Sequence, residues 1–249
     1  KLGKELDLFM MHEYAPAMPF FLPRGATVYN GLIQLMRQAY VRHGYEEVIT
    51  PQIFDKRLFL TSGHLPNYRE NMYLPVTADD IDKAKLALRV DVPQVQQAQS
   101  DPAAYRDADR ARDRAVVDQL TDLEGLGQKP MNCPSHCLIF GSRRRSYREL
   151  PWRMADFGRL HRYERGGVVH GLARVRSFCQ DDAHIFCTPE QIQGEINSFL
   201  KLLYEVYAAI KFDRVDIKLA TRPDKRMGTD EMWDISEGGL EQALKNANL

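Results

Sequence analysis

Gln180, Asp181, Asp182 and His184 interrupt an otherwise apolar decapeptide, FCQDDAHIFC, that runs from Phe178 to Cys187. Charge inside an apolar segment is costly unless it is paired, hydrogen-bonded or bound to a metal. Side chains of a strand alternate between two faces. Read as a strand, the segment projects Gln180, Asp182 and His184 to one side and Asp181, Ala183 and Ile185 to the other. Such a stripe suits a ligand with an ammonium group, which Asp182 can pair. His184 is either a metal ligand or a core histidine whose bonds are satisfied. Cys133, in KPMNCPSHC, favours the metal only if the fold brings it near. Thiolate and imidazole together suit zinc.

A second group lies just upstream. Arg162 and Glu164 are two apart, so on a strand they share a face, either as a salt bridge or as part of a site. Arg165, Arg174 and Arg176 sit in or beside the glycine-bearing stretch RGGVVHGLAR. Guanidinium groups bind phosphate in bidentate fashion, so this loop is a phosphate clamp or a solvated hairpin tip.

Strands and helices must hold these groups. WRMADFGRLHRYE (152–164) and VRSFCQDDAHIFC (175–187) read as two strands joined by the glycine-bearing loop. Residues 26–44 carry Val28, Leu32, Leu35, Met36 and Ala39 at helical spacing, and Gly44 ends that helix. YEEVITPQIF reads as a strand broken by Pro51, and DKRLFLTSGH as a short helix ending near Gly63. Thr188 and Pro189 open a long amphipathic helix through Ile192, Ile196, Phe199, Leu200, Leu203 and Val206. DRVDIKLAT reads as a further strand, and a last helix starts in GTDEMWD. Residues 75–128 differ in composition, and DPAAYRDADRARDRAVVDQL alternates acid and base. That pattern predicts a helical insertion with i,i+4 pairs.

The chain has 249 residues, 44% hydrophobic, enough for a sizeable core. Its 34 Lys and Arg balance 34 Asp and Glu, so global charge gives no support to nucleic-acid binding, although a local basic face could exist. No apolar run is long enough to span a bilayer. Four cysteines, without C-x-x-C spacing, point to a reducing, cytoplasmic setting.

Several long motifs, in order, resemble the catalytic domain of threonyl-tRNA synthetases, a class II aminoacyl-tRNA synthetase family. GYEEVITPQIFDKRLFLTSGH resembles motif 1 and its continuation. KPMNCPSH is similar to the family's K-P-M-N-C-P-G-H. FGRLHRYERGGVVHGLARVRSFCQDDAHIFC resembles motif 2, its loop and the next strand, and TRPDKRMGTDEMWD is again close. The resemblance implies an α+β fold, a mainly antiparallel sheet flanked by helices, dimerising through motif 1. It implies ATP-dependent activation of threonine, with Mg²⁺ accompanying ATP, and transfer to tRNA(Thr).

It also implies roles. Arg162 would contact the ATP α-phosphate, Glu164 the adenine side and Arg174 the outer phosphates. Cys133 and His184 would be two of three protein ligands to a zinc ion that the threonine amino and hydroxyl groups complete. Asp182 would take the ammonium, Gln180 and Met131 would shape the pocket, and His64 would assist transfer to the tRNA ribose. A metal that requires an oxygen ligand would separate threonine from valine, which a hydrophobic pocket does poorly. The chain departs from the family in Ser135, where Gly is usual, and in the 75–128 insertion. It also stops before the segments that would carry the third zinc ligand and motif 3, so this piece alone is expected to be inactive. Two other readings fit parts of the pattern: a synthetase-like paralogue acting as a binding or regulatory module, and a seryl- or prolyl-type enzyme without zinc.

Overall fold

The computed structural model describes residues 2–81, 125–212, 214–224 and 226–247. Most of the expected 75–128 insertion lies outside the described residues. Its last residues, Leu126–Gln128, belong to the core sheet system as strand β5.

The chain begins with a short helix α1 (Leu2–Glu5) and an antiparallel pair, β1 (Phe9–His12) and β2 (Ala15–Phe21). Helix α2 (Pro23–His43) follows, with proline in its first turn and Gly44 in the left-handed region at its end, at φ +69°. Gly25 is required where α2 meets the first strand pair. A Cβ there would stand 1.7 Å from the Leu8 carbonyl oxygen, which cannot move aside.

Beyond α2 come β3 (Tyr45–Glu47), β4 (Ile53–Asp55), α3 (Lys56–Thr61) and α4 (His64–Tyr68). Asp55 caps α3 by accepting from the Arg57 backbone N–H. Phe59, Leu65 and Met72 form a small core beneath these helices.

After β5, helix α5 (Cys133–Gly141) leads into β6 (Trp152–Asp156), β7 (Arg159–His161), β8 (Ser177–Cys179) and β9 (Asp182–Phe186). The two long strands expected over 152–164 and 175–187 are thus four short ones. β6 pairs antiparallel with β9, and β7 with β8. Both ladders break at the same level, at Phe157–Gly158 on one side and Gln180–Asp181 on the other. Glycine is required at this break: a Cβ on Gly158 would meet Lys129 Nζ at 2.5 Å, Asn132 Oδ1 at 2.7 Å and Asp156 Oδ2 at 2.9 Å. Polar side chains crowd against the backbone where the pleat would otherwise continue.

β3 joins the other edge of β6 in parallel, giving the sheet order β3-β6-β9. Every other strand pairing among the described residues is antiparallel. One sheet face carries Ala155, Ala183 and Ile185 onto a core with Ala39 and Tyr40 of α2. Helix α6 (Ile192–Ala209) closes this core through Leu202. Its start is tightened by a 3₁₀ turn at Pro189–Gln191 with a Thr188–Gln191 capping box. Arg153 of β6 clamps Glu195 of α6 in a bidentate pair at 2.5 and 2.6 Å.

Residues 214–221 form no strand ladder among the described residues, against the expectation for DRVDIKLAT. Ile217 and Leu219 instead line an apolar cleft with α6 and the last helix, α7 (Asp230–Asn246). Their alternation reflects packing against helices rather than pairing in a sheet.

Candidate active site

The second face of the β6–β9 ladder bears polar residues. In its register Asp156 lies opposite Asp182 and Met154 opposite His184, so these four share one side. Asp182 and His184 therefore stand as the alternation predicts, away from Ala183 and Ile185. Gln180 does not belong with them. It falls in the break between β8 and β9, is exposed, and lines a separate cavity with Tyr29, Met36 and Phe157 of the α2 side. The strand that was to align it with Asp182 does not run through.

Helix α5 stands over this face, and its N-terminal turn supplies the partners. Asn132 Nδ2 donates to Asp182 Oδ2 at 3.0 Å. His136 and His184 meet Nδ1 to Nδ1 at 2.7 Å, with their rings edge to face. Cys133 opens the same helix, half-buried and in no disulfide. Burial pushes its thiol pKa up, and the Asp182 charge adds to that push, while Arg162 opposes it. Burial pulls His184 below the ordinary imidazole value, partly offset by Asp182. Cys133, Asp182 and His184 thus belong to one junction between α5 and β9.

Beneath them lies a buried network that the sequence reading did not single out. Thr50 Oγ1 donates to Asp156 Oδ2 at 2.7 Å, and Lys129 Nζ donates to Thr50 Oγ1 at 2.6 Å. Lys129 Nζ and His136 Nε2 each lie 3.6 Å from Asp156 Oδ2. Exposure is 1% for Lys129 and 2% for Asp156, so these two charges depend on one another, and His136 beside them is 0% exposed. Burial alone would raise the Asp156 carboxyl, but His136, Thr50 and Lys129 outweigh it and hold the pKa below the usual carboxylate value. Burial lowers the Lys129 pKa. The available signal was the run KPMNCPSH itself, in which Lys129, Asn132 and His136 accompany Cys133.

Arg162 and Glu164 lie just past the end of β7 rather than within a strand. Arg162 Nε donates to the Pro130 carbonyl at 3.0 Å, and its guanidinium lies 5.0 Å from the Phe178 ring centre. No carboxylate pairs with it among the described residues. Glu164 is buried and held by Arg174, whose Nε donates at 3.0 Å, while Arg176 Nε donates to the Glu164 carbonyl at 2.9 Å. Arg165 turns outward to Glu70.

His64 begins α4 after Gly63, at φ +77°. Its Nδ1 is 2.9 Å from Ser62 Oγ and its Nε2 is 3.3 Å from Met131 Sδ. Burial lowers its pKa. His64 and Met131 line one cavity with Arg226 and Met227, so Met131 contacts the His64 region.

Residues 118–237 match the tRNA synthetase class II core domain (G, H, P, S and T). A threonine–tRNA ligase of Bdellovibrio bacteriovorus is 48% identical over all 249 residues, which cover 31% of that relative. The cytoplasmic threonine–tRNA ligase of Saccharomyces cerevisiae is 43% identical over 98% of the chain and 27% of its own length. A solved RNA-binding domain of threonyl-tRNA synthetase from Cryptosporidium parvum superposes with a TM-score of 0.76 at 38% identity. It is covered to 51%, and this chain to 100%. The relatives that match across nearly all of the chain are threonine–tRNA ligases. A Giardia lamblia prolyl-tRNA synthetase shares only the fold, at 15% identity and a TM-score of 0.60. The chain spans about a third of the length of the curated relatives it matches.

Proposed function

We propose that this chain is the part of a threonine–tRNA ligase that activates threonine with ATP and presents it to tRNA(Thr), in the cytoplasm and as a homodimer through the motif 1 stretch, residues 44–64. The observation that carries the reading is Arg162. No carboxylate neutralises it among the described residues, and its guanidinium is planted on Pro130 and Phe178 beside the α5–β9 junction. Such a guanidinium suits the charge that develops on an α-phosphate as a carboxylate attacks it. Asp182, held from one side by Asn132, suits the threonine ammonium. Glu164, fixed by Arg174 and Arg176, would take the adenine side, and Arg174 would hold outer phosphates. His64 suits the later transfer to ribose. Mg²⁺ would accompany ATP.

Zinc fits the donor set in kind. Cys133 offers a sulfur outside any disulfide, and His184, engaged at Nδ1, keeps Nε2 for a metal. Among the described residues no cluster of three or more His, Cys, Asp or Glu is placed to hold a metal, so these two would be part of a larger set. When bound, the ion would supply a Lewis acid that the threonine amino and hydroxyl groups ligate. The chain's own work is to present the thiolate and imidazole and to hold Asp182 against the ammonium.

Threonine-dependent exchange of pyrophosphate into ATP, measured on the full-length protein, tests the reading. Wild type should exchange with threonine and reject valine. Arg162→Ala should lose about 10²- to 10³-fold in rate, as when one charge-stabilising donor is removed. Unchanged exchange in the variant would remove Arg162 from the chemistry.

A further inference from the structure

His136 is assigned no role by the reading above, yet it is fully buried and touches both polar systems of the sheet face. On one side its Nδ1 meets His184 Nδ1 at 2.7 Å. On the other its Nε2 stands 3.6 Å from Asp156 Oδ2, beyond a hydrogen bond, and has no other polar partner. Two nitrogens at 2.7 Å require that one carries a proton and the other a lone pair. The alternatives differ sharply. If His136 donated, its lone pair would sit on Nε2, facing the Asp156 carboxylate, and lone pair would oppose negative charge. If His184 donates, the His136 proton sits on Nε2 and points at Asp156. That carboxylate is itself fixed by Thr50 and Lys129. Between two neutral rings only the second arrangement is favourable at both ends, and it leaves the lone pair of His184 on Nε2, the atom that a metal would use.

We propose that His136 is a positioning residue that sets the tautomer and ring orientation of His184, with Asp156 choosing the tautomer of His136 in turn. The proposal rests on the reading of Cys133 and His184 as zinc ligands. It adds a relay, Asp156–His136–His184, that runs from the buried ion pair to the metal position. Partners of this kind, behind a ligating imidazole, typically change metal affinity by about 10- to 100-fold.

The test measures the zinc dissociation constant of the full-length protein by competition with a chromophoric chelator. The variants are His136→Leu and His136→Asn. Leu fills the space without a hydrogen bond, whereas Asn places an amide oxygen near the lost Nδ1. His136→Leu should bind zinc about 10- to 100-fold more weakly, and His136→Asn should recover most of the loss. Cobalt(II) gives a second readout, because its visible absorption reports ligand geometry: the band should change in the Leu variant and return in the Asn variant. Wild-type affinity and spectrum in His136→Leu would overturn the proposal, as would an Asn variant no better than Leu. A wild-type protein that binds no zinc would overturn the zinc reading itself, which is a distinguishable failure. If His136→Leu does not fold, Asp156→Asn replaces it, with weaker zinc binding expected and unchanged binding overturning the proposal.

Discussion

Asp156 and Asp182 face each other across the β6–β9 ladder, two carboxylates in direct cross-strand register on one face of the sheet. Like charges in that position repel. The structure answers with different partners for each. Asn132 serves Asp182, Thr50 serves Asp156, and the Lys129 ammonium senses both charges. Lys129 is therefore a counter-ion shared by a buried carboxylate, Asp156, and a half-buried one, Asp182, which faces the proposed substrate.

Replacing Lys129 by Met should cost about 3–5 kcal/mol, because it leaves the buried Asp156 carboxylate without its cation. Urea unfolding of the variant and of wild type reads this directly. A loss under about 1 kcal/mol would mean that Thr50 and His136 suffice for Asp156, a weaker dependence than buried pairs show.

Gly158→Ala tests the crowding beneath the ladder break. Its Cβ would sit within 3 Å of Lys129 Nζ, Asn132 Oδ1 and Asp156 Oδ2. Overpacking of this kind costs about 1–3 kcal/mol. The same shift should disturb Asn132, and hence Asp182, so KM for threonine should rise with the fall in melting temperature. A stable variant with unaltered KM would show that the network yields freely.

Acid should act through Asp156. Its folded pKa lies below the ordinary 3.8, so the folded state holds fewer protons than the unfolded state in that region. The stabilisation is complete above 3.8 and is lost as pH falls through the folded value. Asp156→Asn should be less stable at neutral pH and should lose less further stability on acidification below about pH 4. Denaturant melts at several pH values decide this, and parallel curves for the two proteins would exclude Asp156 as a source of the acid limb.

Cys133→Ala should lower zinc stoichiometry in the full-length protein and reduce discrimination of threonine against valine. A pocket without the metal separates such isosteres by only about 10²-fold or less. Zinc content by elemental analysis and exchange rates with both amino acids check it. Full zinc content in the variant would remove Cys133 from the ligand set.

Much of this architecture is legible in the sequence. Apolar spacing and end signals predict α2, with Gly44 as its stop, and Thr188 and Pro189 mark the entry to α6. Alternation places Asp182 and His184 opposite Ala183 and Ile185. What the sequence hides is where a ladder breaks. Periodicity continues through Gln180, but the pairing does not, and the break falls where Lys129 and Asn132 reach Gly158 from another part of the chain. Residues 214–221 mislead in the same way: alternating apolar residues serve helices as well as sheets. The relay through His136 and Asp156 is equally illegible, since it depends on which buried polar groups tertiary packing brings together.

The parallel pairing of β3 with β6 has a consequence for how the molecule reaches this state. Thr50 and Asp156 bond across 106 positions, and Lys129 reaches Thr50 across 79. Contacts so remote along the chain close late and slowly, after local helices have formed. The polar face is thus assembled by the last folding events, and no single segment can prefigure it. Trp152 Nε1 donates to Glu46 Oε2 across the same 106-position closure, at 3.1 Å. Its fluorescence should therefore change in the slow phase of refolding, together with the appearance of ligand binding, and well after the helical signal has developed.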